Sequence, residues 1–159
     1  MESAQELEIR VKKRALHILE RMDRTEHELR EKLEKSDYPG EYIEKAIDYV
    51  KSYHYLDDYR YACTYIRYHQ DRMSRTCLKM KLMQKGIDRE LLSRAMEETY
   101  EGDESEQIRE LLKKRKSKRT GDRRKDDHRD YQYLLRKGFQ GHEIQKVMRE
   151  NRMFEESCE

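Results

Sequence analysis

The residue types that perform catalysis or hold metals are present in this chain but are not assembled into a recognisable site. Six histidines, at positions 17, 27, 54, 69, 128 and 142, form neither an HExxH motif nor a pair four residues apart. Helical zinc sites need that spacing to put two imidazoles on one face, so no metal is predicted. Cys63, Cys77 and Cys158 are odd in number, widely spaced and without a CxxC pair, which argues against a disulfide framework and predicts reduced thiols. Asp57 and Asp58 could serve as metal ligands or as an acid-base pair. They stand, however, where a helix begins, and a carboxylate there accepts from free backbone N–H groups and meets the positive end of the helix dipole. Capping is the stronger reading. The motifs GxxxxGK[ST], GxGxxG and GxSxG are absent, which removes the common nucleotide-binding and acyl-transfer chemistries. The sequence predicts a non-enzymatic protein with no cofactor and no small-molecule substrate.

What the chain does offer is segregated charge. The 36 Lys and Arg are almost cancelled by 34 Asp and Glu, leaving a net charge of +2 and no global field strong enough to select a partner. Locally the balance is lost. Residues 97–106 carry six acids and no base, whereas residues 109–129 carry eleven Lys and Arg against four acids. From the second cluster Lys113, Lys114, Arg115, Lys116, Arg123 and Arg124 are the candidate contact residues. A second basic face holds Arg72, Arg75, Lys79, Lys81 and Lys85, with Arg89 and Arg94 nearby, against Asp71, Asp88 and Glu90. Such clusters bind phosphates with an affinity that falls steeply as salt rises, or they face an acidic protein surface. Nine of twelve tyrosines fall between Tyr38 and Tyr68. Each ring could stack on a nucleobase, but the spacing of Tyr61, Tyr65 and Tyr68 suits a packed helix face, and packing is favoured.

The elements that must carry these residues are helical. One proline and six glycines in 159 residues are too few turn formers for an all-β fold, and twelve tyrosines with near-neutral charge do not fit a disordered chain. Met1 to Arg14 contains no uninterrupted apolar stretch, so neither signal peptide nor membrane span is expected and a cytoplasmic protein is predicted. Apolar residues recur at helical spacing from Leu7 to Met22, after a capping box at Ser3 and Glu6, and a second box at Thr25 and Glu28 starts the next helix. Pro39 suits the first turn of a third.

Sliding the sequence against itself exposes a repeat. Leu33, Tyr38, Ile43, Ala46 and Ile47 fall on Leu82, Ile87, Leu92, Ala95 and Met96 at a shift of 49, then on Leu134, Phe139, Ile144, Val147 and Met148 at a further 52. The caps Thr25, Ser74 and Asp126 obey the same shifts. Gly86 and Gly138 are placed to end the middle helices of copies two and three as C′ residues, with Pro39-Gly40 replacing that device in copy one. The predicted fold is all-α: three tandem three-helix repeats, helix-turn-helix-like, forming a curved elongated array. Residues 1–54, 55–101 and 102–152 are the repeats and 153–159 an acidic tail. The third repeat carries a basic insertion, 113–129, expected to extend a helix and end in a mobile loop at Thr120 and Gly121. Units this small bury too little alone and are expected to stack.

The T-x-x-E-L start at Thr25 to Leu29, the run Asp57-Asp58-Tyr59-Arg60-Tyr61-Ala62, the Lys85-Gly86-Ile87 step and Arg136-Lys137-Gly138-Phe139 resemble the RecX family of bacterial regulatory proteins over roughly Arg14 to Arg149. The resemblance implies a cofactor-free, monomeric modulator of the RecA recombinase that lies in the groove of the RecA filament on DNA and inhibits recombination, ATP hydrolysis and coprotease activity. The basic insertion departs from the family's pattern and adds scope for direct DNA contact. A helical protein binding DNA or RNA without RecA and without base specificity is the alternative. A scaffold that self-associates through its acidic and basic runs is a third reading.

Overall fold

Short polar side chains set where the helices begin, because each N-terminus leaves backbone N–H groups that only a cap or water can satisfy. Ser3 and Glu6 form a reciprocal capping box at the start of α1 (Ala4–Arg21). The Thr25 hydroxyl accepts from the Glu28 N–H to open α2 (Glu26–Lys35), Asp103 opens α7 (Glu104–Arg115) and Asp122 opens α8 (Arg123–Arg136). The remaining helices are α3 (Gly40–Ser52), α4 (Asp58–His69), α5 (Arg75–Gln84), α6 (Arg89–Thr99) and α9 (Gly141–Ser157). The computed structural model describes residues 1–158, which form nine α-helices, one 3-10 turn (Lys116–Lys118) and no strand. The three-helix pattern occurs three times in tandem. The predicted acidic tail continues α9 as far as Ser157; Glu159 lies outside the described residues.

The positions matched by the repeat form the core. Leu33, Ile43, Ala46 and Ile47, then Leu82, Ile87, Leu92, Ala95 and Met96, then Leu134, Phe139, Ile144 and Val147 are all buried, while Tyr38 and Met148 are partly so. Gly86 and Gly138 adopt φ of 83° and 93°. Ile87 and Phe139 then return their N–H groups to the carbonyls of Leu82 and Leu134, closing the glycine C-cap expected from the sequence. In copy one the left-handed residue is Asp37 (φ 59°), which is Gly86 minus 49. Asp37, not Pro39-Gly40, takes the glycine's place, because a short polar side chain tolerates this region better than most. Pro39 is the N-cap residue of α3 and not part of its first turn.

The described residues group into two compact units, Met1–Arg67 with Lys81–Thr99, and Tyr68–Met80 with the chain from Tyr100 onward. The division falls inside α4 and α5. The first unit is built on Val11, Ala15, Ile18, Leu29, Leu33 and the apolar face of α3, and the second on Ile108, Leu134, Phe139, Ile144 and Val147.

Each unit contains one joint between repeats, and the two joints are made from equivalent contacts. In the first, the buried Thr25 hydroxyl donates to the Lys85 carbonyl (2.6 Å), Asp58 accepts from the Glu26 N–H (2.8 Å), and Gly86 sits so close to His27 that an added Cβ would lie 2.3 Å from its Cβ. In the second, Ser74 donates to the Lys137 carbonyl (3.0 Å), Glu104 accepts from the Arg75 N–H (2.8 Å), and a Cβ on Gly138 would lie 2.7 Å from the Ser74 Oγ. A cap residue thus satisfies its own helix and also the frayed carbonyl of the next repeat's helix end. Asp57 accepts from the Arg60 N–H and caps α4, whereas Asp58 caps α2 instead. Burial holds the Asp58 carboxyl above the usual aspartate range.

Candidate basic interface

The cations singled out by the sequence divide into those held by the protein and those displayed. In the second unit Arg72 lies at the α4 to α5 bend, and Arg75 and Lys79 stand one turn apart on α5. Arg72 and Lys79 are exposed, as is Arg75. Arg75 lays its guanidinium 4.6 Å from the centre of the Tyr100 ring. It lines an open cavity of about 560 Å³ with Thr76, Lys79, Asp103, Glu104 and Glu143. The acids of that cavity are in structural use: Asp103 caps α7, Glu104 accepts from Arg75 and Glu143 accepts from Ser105. In the first unit Lys81 is exposed, but Lys85 is half-buried, 3.7 Å from Glu28 and 5.8 and 5.9 Å from the ring centres of Tyr61 and Tyr65. Burial works against the Lys85 charge, yet the Tyr61 hydroxyl and Glu28 more than offset it and raise its pKa. Lys85 is therefore a joint residue as well as a cation.

The basic run of the third repeat is folded onto an acidic ladder that sequence reading missed. Asp126, Asp127 and Asp130 lie within four residues of one another on α8, a spacing that brings their carboxylates to adjoining turns. Arg115 donates from Nε to the buried Asp130 (2.8 Å) and lies 4.1 Å over the Tyr133 ring. Arg119 reaches Asp127 (2.6 Å) and Asp130 (3.6 Å), and Arg152 of α9 completes the set at Asp127 (2.7 Å). Lys113 pairs with Glu110 and Arg123 lies 3.9 Å from Glu156. Asp126 is not the helix cap its repeat position implies. Asp122 caps α8 one turn earlier, and the Asp126 carboxylate turns back to accept the Thr120 N–H, the Thr120 hydroxyl and the Gly121 N–H at 3.0–3.2 Å. Donation from Thr120 holds Asp126 below the usual range. The loop expected to be mobile is thus tied down by hydrogen bonds from two successive residues.

What remains displayed is narrower than composition suggests. Among the described residues, seven of the eleven candidates, Arg72, Arg75, Lys79, Lys81, Lys114, Lys116 and Arg124, make no ion pair, and neither do Lys118 and Arg129 of the same basic run. Tyr61 and Tyr65 stack on one another and are half-buried, while Tyr68 is 74% exposed against His69. No described helix is long and apolar enough to cross a membrane.

Comparison with known proteins agrees with this architecture. Family models for RecX match in chain order: the first three-helix domain at residues 12–49, the second at 57–96 and the third at 102–148. The regulatory protein RecX of Clostridium acetobutylicum is 31% identical over 144 residues, covering 87% of this chain and 67% of the relative. That of Clostridioides difficile is 31% identical over 154 residues, covering 95% and 72%. The crystal structure of RecX from Lactobacillus salivarius superposes with a TM-score of 0.75 at 25% identity, covering 92% of this chain and 97% of that one. A second crystal structure, of a regulatory protein RecX, gives 0.81 at 24% identity, covering 91% and 72%.

Proposed function

This chain belongs to the RecX family of regulatory proteins, and from that membership we propose that it regulates a RecA recombinase by binding the RecA filament on DNA and inhibiting its recombinase, ATPase and coprotease activities. The observation that carries the reading is that seven of the clustered candidate cations, Arg72, Arg75, Lys79, Lys81, Lys114, Lys116 and Arg124, are exposed and make no ion pair among the described residues. Exposed charges kept from local pairing are available to a large acidic or phosphate-bearing surface. Because several of them lie on one chain, contacts made together raise the effective concentration of each. A ligand bound more tightly to one arrangement of protomers opposes the rearrangements that hydrolysis and strand exchange require. The protein acts as a monomer, by occupation and without chemistry of its own.

The test is the rate of ATP hydrolysis by the cognate RecA on single-stranded DNA, titrated with this protein, beside binding to the same DNA without RecA. Inhibition at concentrations where bare DNA is not bound supports filament recognition. Unchanged hydrolysis with tight, salt-sensitive binding to bare DNA would replace it with the RecA-independent nucleic-acid reading.

A further inference from the structure

The tyrosines between residues 38 and 68 do not all do the same work. Tyr61 and Tyr65 are half-buried beneath Lys85, and Tyr59 donates to Glu98 while Arg94 lies over its ring. Tyr53 and Tyr55 are different. They remain 61% and 53% exposed, with ring centres 6.4 Å apart and planes 27° from parallel. Tyr49 backs them at 4.9 Å from Tyr53 and is itself fixed by Lys12, whose Nζ lies 5.1 Å from its ring centre.

The backbone explains why these rings are displayed together. The chain leaves α3 through His54, which takes a left-handed conformation (φ 61°) normally given to glycine. The N–H groups of Tyr55 and Leu56 both return to the Val50 carbonyl. The apolar contact that usually follows such a helix end is made by Leu56, which is buried, so Tyr55 is released to the surface. Arg60 fixes the turn by donating to the carbonyls of His54 (2.8 Å) and Tyr55 (3.3 Å). Its backbone N–H is held by the Asp57 carboxylate (3.1 Å), while its guanidinium makes no ion pair among the described residues and stands next to Tyr55.

We propose that Tyr53 and Tyr55, backed by Tyr49 and flanked by Arg60, form a stacking ledge for unpaired bases of single-stranded nucleic acid. Flat aromatic rings in series, next to a guanidinium that can meet a phosphate, are what sequence-tolerant single-strand binding uses. Duplex bases are already stacked on one another and offer no free face. This goes beyond recombinase regulation and is independent of it.

The experiment uses the full chain and a dye-labelled 20-nucleotide oligo(dT), with oligo(U) and a duplex of equal length as further arms, read by fluorescence anisotropy at near-physiological salt. The double variant Tyr53→Ala/Tyr55→Ala should bind the single strand at least about 30-fold more weakly, because each of two stacked bases contributes about 1 kcal/mol or more. Tyr53→Phe/Tyr55→Phe, which keeps the rings, should stay within about 3-fold of wild type. Equal loss for dT and U means that the ledge reads bases and not the sugar; loss for one alone names the nucleic acid it serves. Ultraviolet cross-linking of unmodified protein to 5-iodouracil oligonucleotide should place adducts on Tyr53 or Tyr55, a readout that does not depend on how the variants fold. No single-strand binding by wild type, unchanged binding by the alanine variant, or adducts confined elsewhere overturns the proposal. Loss of RecA inhibition in the alanine variant without any oligonucleotide binding would do so too, and would assign the ledge to a protein surface.

Discussion

Three glycines with positive φ give an internal control for the joints between repeats. An alanine Cβ at Gly121 (φ 93°) would meet nothing within 4 Å, whereas at Gly138, also at φ 93°, it would lie 2.7 Å from the Ser74 Oγ, and at Gly86 2.3 Å from the His27 Cβ. Gly121→Ala should therefore lose only the conformational preference, about 1–2 kcal/mol. Gly138→Ala bears that same loss and also pushes away the Ser74 hydroxyl. That oxygen accepts from the Cys77 N–H (3.1 Å) and donates to the Lys137 carbonyl (3.0 Å). Losing a cap and a further hydrogen bond adds about 1 kcal/mol each, for a total of about 3–4 kcal/mol. Gly86→Ala should be at least as severe, since a β-carbon beside a helix cannot swing aside as a hydroxyl can. Thermal unfolding followed by helical circular dichroism should show roughly 2–8 °C lost for Gly121→Ala and about 6–16 °C for Gly138→Ala. In a Ser74→Ala background the additional effect of Gly138→Ala should fall toward that of Gly121→Ala, because the atom it displaces is gone. Equal losses at the three glycines, or full additivity with Ser74→Ala, would refute the claim that the joints depend on this close approach.

Asp58 is held above its usual pKa by burial while it accepts the Glu26 N–H, so its ionised form opposes folding and that penalty is relieved as the pH falls. Asp58→Asn keeps the acceptor without the charge and should exceed Asp58→Ala in stability by about 1 kcal/mol at neutral pH, measured by urea unfolding; the reverse order would sink the capping role. Asp126 has the opposite sign, being lowered by the Thr120 N–H. Its contribution is complete above the ordinary aspartate pKa of about 3.9 and is lost only as the pH falls through the lower folded value. Hydrogen exchange at Thr120 and Gly121 should accordingly be slow at about pH 5–7 and accelerate at least ~10-fold in Asp126→Ala. Lys114→Glu/Lys116→Glu/Arg124→Glu should weaken RecA filament binding by more than ~10-fold, since three like charges reverse at an acidic or phosphate surface. Unfolding should change little because none of the three is paired. Unchanged binding in that variant removes the third repeat from the interface.

The repeat was legible because burial recurs with it: a 49- and 52-residue shift aligned apolar side chains, and every aligned core position is buried or partly buried. What the shift could not show is that a residue's partner can change while its position is kept. Thr25 and Ser74 cap their helices and dock on the next repeat, whereas Asp126, at the same repeat position, sits a turn inside its helix and clamps a loop. Asp37 standing in for a glycine was hidden for the same reason, since the backbone conformation is shared but the residue type is not. The expected capping by the acidic pair divided between two helices, one carboxylate for each, which only the packing of α4 beside α2 could decide.

The basic clusters carry the sharper lesson, because charge counted along a sequence overstates charge presented to a partner. Between residues 109 and 129 the excess is +7, yet Arg109, Lys113, Arg115, Arg119, Arg123 and Lys125 all meet acids, several of them from α8 and α9. Arg115 lies in the middle of the basic run and reaches a buried aspartate fifteen residues away. It and the lysines on either side are indistinguishable by composition. The difference is geometric: α7 turns its Arg115 side chain onto Asp130 of α8, whereas Lys114 and Lys116 stay exposed and make no ion pair among the described residues. An arginine suits the inward position because its planar fork can hold a carboxylate and lie on the Tyr133 ring together, which an ammonium group does less well. The contrast can be measured. Arg115→Lys should destabilise the second unit while leaving filament binding per folded molecule intact, and Lys114→Glu should do the reverse. A variant pair in which both changes act on stability alone would show that the run is a structural feature, with the partner engaged somewhere else.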